Sequence, residues 1–310
     1  MAKPRNSFLD RIQYIALRYV AMTMQCWPPG FNYFFAKRVG DIMYLFDRRH
    51  RNRAMANLRN SFPKASEASL KIWARDSMRQ LICLGVDVIW TTRLVKPDNF
   101  DHFVEMGDFR QALELLLSKH KGLILITGHY GNWEILGYVL ATLGCPTVSV
   151  ARPLDNPLIN EFVLGVRERK GQKIIDKKGA TNDVTAALSN GGMVGFIADQ
   201  NAGPKGIFVD FFGRKASAYK SIGLLAMQYN VPIVVGYARR TREDAFKFNI
   251  GTQDVIYPVD WQDKPDTLLY ITQRYTKAIE DFVTAEPGQY LWVHRRWKTR
   301  PKNEQPGLYD

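Results

Sequence analysis

His129 and Glu134 are the two side chains of this sequence best placed for acid–base chemistry. They sit in His129-Tyr130-Gly131-Asn132-Trp133-Glu134, after the apolar run Leu123 to Thr127 and before the helical run Ile135 to Leu143. A strand-to-helix connection is where α/β scaffolds carry functional groups. Five positions on a regular helix leave two side chains about 140° apart, so a helix alone would keep this pair from meeting. A loop that turns into a helix near Asn132 can bring the Glu134 carboxylate onto one imidazole nitrogen. The other nitrogen is then free to take a proton from a substrate hydroxyl. The plain alternative is a loop histidine hydrogen-bonded to backbone.

The elements that must position this pair fall into two regions. Residues 8 to 93 read as helices, with Ser66 opening a run to Thr92 whose Leu70, Trp73, Leu81, Leu84 and Val88 share one face. Pro97 to Asp101 is a connector. Strand candidates follow at Leu123–Thr127, Thr147–Ala151, Lys173–Asp176, Met193–Ala198, Val231–Ala238 and Phe246–Ile250. Helical runs alternate with them at Phe109–His120, Glu134–Leu143, Asn156–Lys170, Asn182–Ser189 and Ser217–Tyr229, with Asp266–Ala285 last. Such alternation predicts an α/β fold, a mainly parallel sheet flanked by helices. The expected organisation is a helical, membrane-associating region at 1–100, an α/β domain at 101–302 and a tail at 303–310.

Two further side chains stand at strand ends in this reading. Arg152 follows the strand ending at Ala151, where its head can face the same crevice as His129. Asp199 follows Met193–Ala198 and can bind an arginine of the site, position a substrate or cap the loop Asn201-Ala202-Gly203. Arg167 and Arg169 close the helix begun at Asn156, where they can hold an anion or answer the helix dipole. Ser217-Ala218-Tyr219-Lys220 matches S-x-x-K of serine acyl-enzymes, but S-D-N and K-T-G are absent, so the match is chance. Neither a G-x-S-x-G elbow nor a nucleotide-binding glycine loop occurs.

Charge and composition narrow the setting. The net charge of +13 is concentrated at the two ends: residues 1–60 hold 11 Lys/Arg against 3 Asp/Glu, and 291–302 hold five cations and no acid. Basic ends on a neutral body suit an anionic lipid surface or an acidic partner. Nucleic acid would answer to the charge too, but would leave His129 and Glu134 without a purpose. Cys26, Cys83 and Cys145 are scattered, which supports neither a disulfide framework nor a zinc site and fits a reducing compartment. Tyr19 to Ala36 is uncharged but broken by Trp27-Pro28-Pro29-Gly30, which favours helices lying in the membrane interface, or a re-entrant hairpin, over a spanning helix.

Four blocks in order resemble the late lipid A acyltransferases, the lauroyl and myristoyl transferases of Gram-negative envelopes. They are His129-x4-Glu134; Ala151-Arg152-Pro153-Leu154-Asp155-Asn156-Pro157; Ala198-Asp199-Gln200-Asn201 running into Gly206 to Gly213; and Gln289 to Pro301. The resemblance covers most of the chain. It implies acyl transfer from a thioester to a hydroxyl of a membrane glycolipid at the cytoplasmic face of the inner membrane. The implied donor is acyl carrier protein or coenzyme A, with no further cofactor and no metal. It also implies His129 as base, Glu134 as its orienting carboxylate, no acyl-enzyme, and an arginine that register places at Arg167. Arg152, Arg169 and Asp199 are the other expected substrate contacts. The acceptor stays open among lipid A precursors, phosphatidylinositol mannosides, ornithine lipids and phospholipids.

Overall fold

The computed structural model describes residues 7–117, 122–151, 153–176, 179–242, 245–302 and 304. Arg152, the end of the run expected to reach His120, and all of the tail except Glu304 lie outside them.

Four helices come first: α1 (Ser7–Gln25), α2 (Pro29–Phe46), α3 (Arg48–Ser61) and α4 (Glu67–Leu94). Pro29 takes the first turn of α2, where its missing N–H is harmless, so Pro28-Pro29 splits the uncharged stretch into two helices. Ser66 caps α4 by accepting from Ser69 N at 3.1 Å. The remainder runs β1 (Val104–Met106), α5 (Arg110–Leu117), β2 (Leu123–Thr127), α6 (Trp133–Thr142), β3 (Thr147–Ala151), α7 (Pro157–Arg167) and β4 (Lys173–Asp176). Then come α8 (Ala180–Ser189), β5 (Met193–Ile197), β6 (Ile207–Phe211), β7 (Arg214–Ala218), α9 (Lys220–Tyr229) and β8 (Ile233–Arg240). The last are β9 (Phe248–Ile256), α10 (Pro258–Trp261) and α11 (Thr267–Ala285).

The main sheet has the order β1-β9-β8-β2-β5-β3-β4, parallel at every pairing except β8 with β9. The expected α/β class with a mainly parallel sheet is therefore what forms. Alternation along the central strands feeds two cores. Ile124 and Ile126 of β2 pack with α8, α9 and α11; Leu123 and Leu125 pack with α5 and α6. The long helix α4 contributes to both, with Leu70 and Ala74 in the first core and Cys83, Val86 and Trp90 in the second.

Two features departed from expectation. The block Gly206–Gly213 is half of an antiparallel hairpin, β6 with β7, so Ser217 and Ala218 are strand rather than helix. The first strand, β1, is only three residues long and pairs β9, too short for periodicity to reveal.

Candidate active site

Register explains which groups meet at the strand ends. In the β2–β5 pair Thr127 lies beside Ile197, and Ala198 N donates to Thr127 O at 2.9 Å. Continuing each strand by two residues sets His129 beside Asp199. The carboxylate accepts from both polar ends of that one histidine: Oδ2 from the backbone N–H at 2.9 Å, and Oδ1 from Nδ1 at 2.7 Å. The Asp199 side chain is fully buried and that of His129 is 14% exposed. Burial would raise the Asp199 carboxyl; the charge and hydrogen bonds of His129 outweigh it and hold the carboxyl well below the usual carboxylate range. An ionised Asp199 fixes the proton on Nδ1 and leaves Nε2 as a lone pair.

The loop that presents His129 is held rigidly. Gly131 has φ +53°, and a Cβ there would come within 2.1 Å of the Ala238 carbonyl oxygen, so only glycine fits. Gly131 N donates to Gln289 O at 3.0 Å, and Leu291 N to His129 O at 3.0 Å. Asn132 then caps α6, accepting from Ile135 N at 2.9 Å. Its amide nitrogen donates at 3.1 Å to Asp87 of α4, which also receives Tyr33 Oη at 2.6 Å and the Arg240 guanidinium. With the Asp87 and Arg240 side chains 1% and 3% exposed, the pair joins the helical layer to the start of α6.

Glu134 does not reach the imidazole. It occupies the first turn of α6, where the helix points it toward α7, and Arg167 binds it through Nε at 2.7 Å and Nη2. This corrects the expected His129–Glu134 contact: the carboxylate on the ring is Asp199, seventy residues away in sequence. Burial works against the charge on Arg167, and the Glu134 carboxylate outweighs it, raising the guanidinium. Beside this pair a cavity of about 80 Å³ runs under α6, lined among others by Trp133, Thr127, Ser149 and Gly195. Arg169 lines a different place, a groove of about 420 Å³ between α1 and α7 with Tyr14, Arg18 and Phe162.

The last segment completes the surroundings of His129. Its ring packs edge-on to Trp133, with centroids 4.9 Å apart, and to His294, 4.7 Å apart. Gln200 Nε2 lies 3.3 Å from His129 Nε2 and 3.4 Å from His294 Nε2. Burial, helped by the nearby His129, pushes His294 down to about 4. Arg296, inside the core, donates to the carbonyls of Gln200 at 3.1 Å and Ser217. Neither Gln200 nor His294 is singled out by residue type and spacing. Their signal is position, one directly after Asp199 and the other in the basic terminal run. No group of three or more metal-ligating side chains occurs among the described residues.

An imidazole with its Nδ1 proton fixed and its Nε2 lone pair at the rim is equipped to deprotonate a hydroxyl. The profile of the bacterial lipid A biosynthesis acyltransferases matches residues 3–299. The chain belongs to that family. Several relatives are similar along most of their length. One is a lipid A biosynthesis acyltransferase of Haemophilus influenzae, 26% identical over 290 residues, covering 91% of this chain and 86% of the relative. The lipid A biosynthesis palmitoleoyltransferase of Escherichia coli K12 is 26% identical over 87% of this chain and 86% of its own length. The lauroyltransferase of the same organism is 24% identical over 85% and 84%. This acyltransferase thus carries its histidine–carboxylate pair at the ends of two adjacent parallel strands.

Proposed function

We propose that this acyltransferase moves a fatty acyl chain from an acyl thioester, carried by acyl carrier protein or coenzyme A, to a hydroxyl of a lipid A precursor. The observation that supports it most directly is the His129–Asp199 pair in a chain of this family. His129 Nε2 takes the hydroxyl proton as that oxygen attacks the thioester carbonyl. Asp199 holds the ring and stabilises the imidazolium. Collapse of the tetrahedral adduct breaks the carbon–sulfur bond, and the departing thiolate recovers the proton from Nε2. The products are the ester and the free thiol. Glu134 and Arg167 set the angle between α6 and α7 at the rim, where the guanidinium adds positive potential for phosphate or developing oxyanion.

The enzyme works in this reading at a membrane surface. No described helix is long and apolar enough to cross a membrane. Yet Phe8, Ile12, Ile15, Tyr19 and Met22 of α1 and Phe31, Phe35, Ile42 and Phe46 of α2 are exposed, at helical spacing. Two helices lying in the interface, flanked by Arg11, Arg18, Lys37 and Arg38, would place the strand ends near a lipid acceptor.

The test is incubation of wild type and His129→Ala with an acyl-carrier-protein thioester and a tetra-acylated lipid A precursor in detergent, followed by mass spectrometry. One added acyl chain with wild type alone is expected. Equal product from both proteins would overturn the role of His129, and no product from either would overturn the acceptor.

A further inference from the structure

We propose that Gln200 and His294 are positioning residues of the acyl transfer. The Gln200 amide holds Nε2 of both histidines as hydrogen-bond acceptors and stands where the acceptor hydroxyl must arrive. The inference rests on His129 as the base.

The argument is one of proton counting. His129 commits its Nδ1 proton to Asp199. Its Nε2 is therefore an acceptor, and the nearest donor is the Gln200 amide nitrogen at 3.3 Å. That nitrogen carries two protons, and the second faces His294 Nε2 at 3.4 Å, so His294 must also hold its proton on Nδ1. Turning the amide around would present an oxygen to both rings and would demand a proton on each Nε2. One side chain therefore ties the tautomer of His294 to that of His129. His294 suits that arrangement because it stays neutral where His129 works.

The framework around the three groups is built to hold them. The backbone carbonyl of Gln200 accepts from Arg296 at 3.1 Å. The backbone carrying His294 is gripped from α3: Asn57 Nδ2 donates to Trp292 O at 2.8 Å and His294 O at 3.1 Å, and Arg53 to Val293 O at 3.2 Å. The groups that act electrostatically on His294 are His129, Asp199 and Arg53. Those facing His129 are Asp199, His294 and Gln200, with the ring of Trp133 alongside. Once Nε2 of His129 carries the substrate proton it has nothing left to accept with, so the amide has to retreat as the hydroxyl enters. His294 keeps an acceptor for it while it does.

Two measurements test this. The first is the ring proton–nitrogen correlation spectrum of full-length protein with isotope-labelled histidine, which reports the tautomer of each imidazole without turnover. Both His129 and His294 are expected with Nε2 unprotonated near neutral pH. In Gln200→Ala, His294 should return to a mixture dominated by the Nε2–H form while His129, held by Asp199, does not. An Nε2–H His294 in the wild type, or a spectrum unchanged in Gln200→Ala, would overturn the proposal whether or not lipid A is the acceptor. The second is the acid limb of the kcat/KM profile. Loss of a donor to neutral His129 should move it upward by about half a pH unit or more in Gln200→Ala. Gln200→Glu, which places an anion there, should move it further. A limb that stays put in both variants sinks the positioning role, a result that a merely structural Gln200 would give.

Discussion

His129 and Glu134 are close in sequence, and the two ends of that short stretch are held in contrasting ways. His129 is clasped through ring and backbone by a buried carboxylate from the neighbouring strand, a contact dictated by sheet register. Glu134 faces an arginine at the end of α7, in a pair whose side chains are 16% and 26% exposed. The buried pair can define a tautomer because water is excluded. The rim pair, more open to solvent, is coupled more weakly and ties one helix to the next. The spacing of the motif thus reflects the geometry of a loop entering a helix and requires no contact between its ends.

Substitutions at each end should separate the two roles. His129→Ala should cost the most, about 10³-fold in kcat, the scale of general-base catalysis. Asp199→Asn should follow with a loss of about 10²-fold, because an amide can accept from Nδ1–H but cannot stabilise imidazolium. Glu134→Gln and Arg167→Met should each cost about tenfold. Their double variant should be little worse than either single one, as partners in one contact do not add. All three comparisons are read from initial rates of acyl transfer.

The smallest effect concerns stability and pH. His294 sits at about 4 in the fold against an ordinary 6.5. As pH falls from 6.5 toward 4 the unfolded chain binds a proton that the folded chain refuses, so stability declines on acidification in that window. His294→Gln should flatten this part of the curve, measured as the thermal midpoint at several pH values. Asp199 acts with the opposite origin and lower down: its depressed carboxyl stabilises the fold above the ordinary carboxylate range and loses that contribution only as pH falls below it.

Much of the fold could be read from local pattern. The apolar runs at Leu123–Thr127, Thr147–Ala151 and Lys173–Asp176 are strands with the expected bounds, and Ser66 caps the helix it was expected to start. The partner of His129 was hidden for a physical reason. Alternation of strands and helices implies a parallel sheet, but it does not order the strands, and only the adjacency of β2 and β5 brings Asp199 to the ring. The hairpin β6–β7 is hidden because Ser217 and Ala218 adjoin a helical run, and because its turn is made at Phe212, whose φ of +51° is a conformation that favours glycine. Arg167 was placed on the correct helix end; its ion pair with Glu134 needed the packing of α7 against α6.

The tie from Asp87 through Asn132 to the start of α6 bears on how the chain is made. Asp87 leaves the ribosome well before Asn132 and long before Arg240, so during synthesis its carboxylate has Tyr33 for a partner but not yet the arginine that balances its charge. Burying that acid before β8 is complete would leave a charge without its counter-ion, so the stretch of α4 around Asp87 is expected to settle only when Arg240 arrives. The helical layer is then the first part translated and among the last to lock, and the loop that carries His129 is set only when it does.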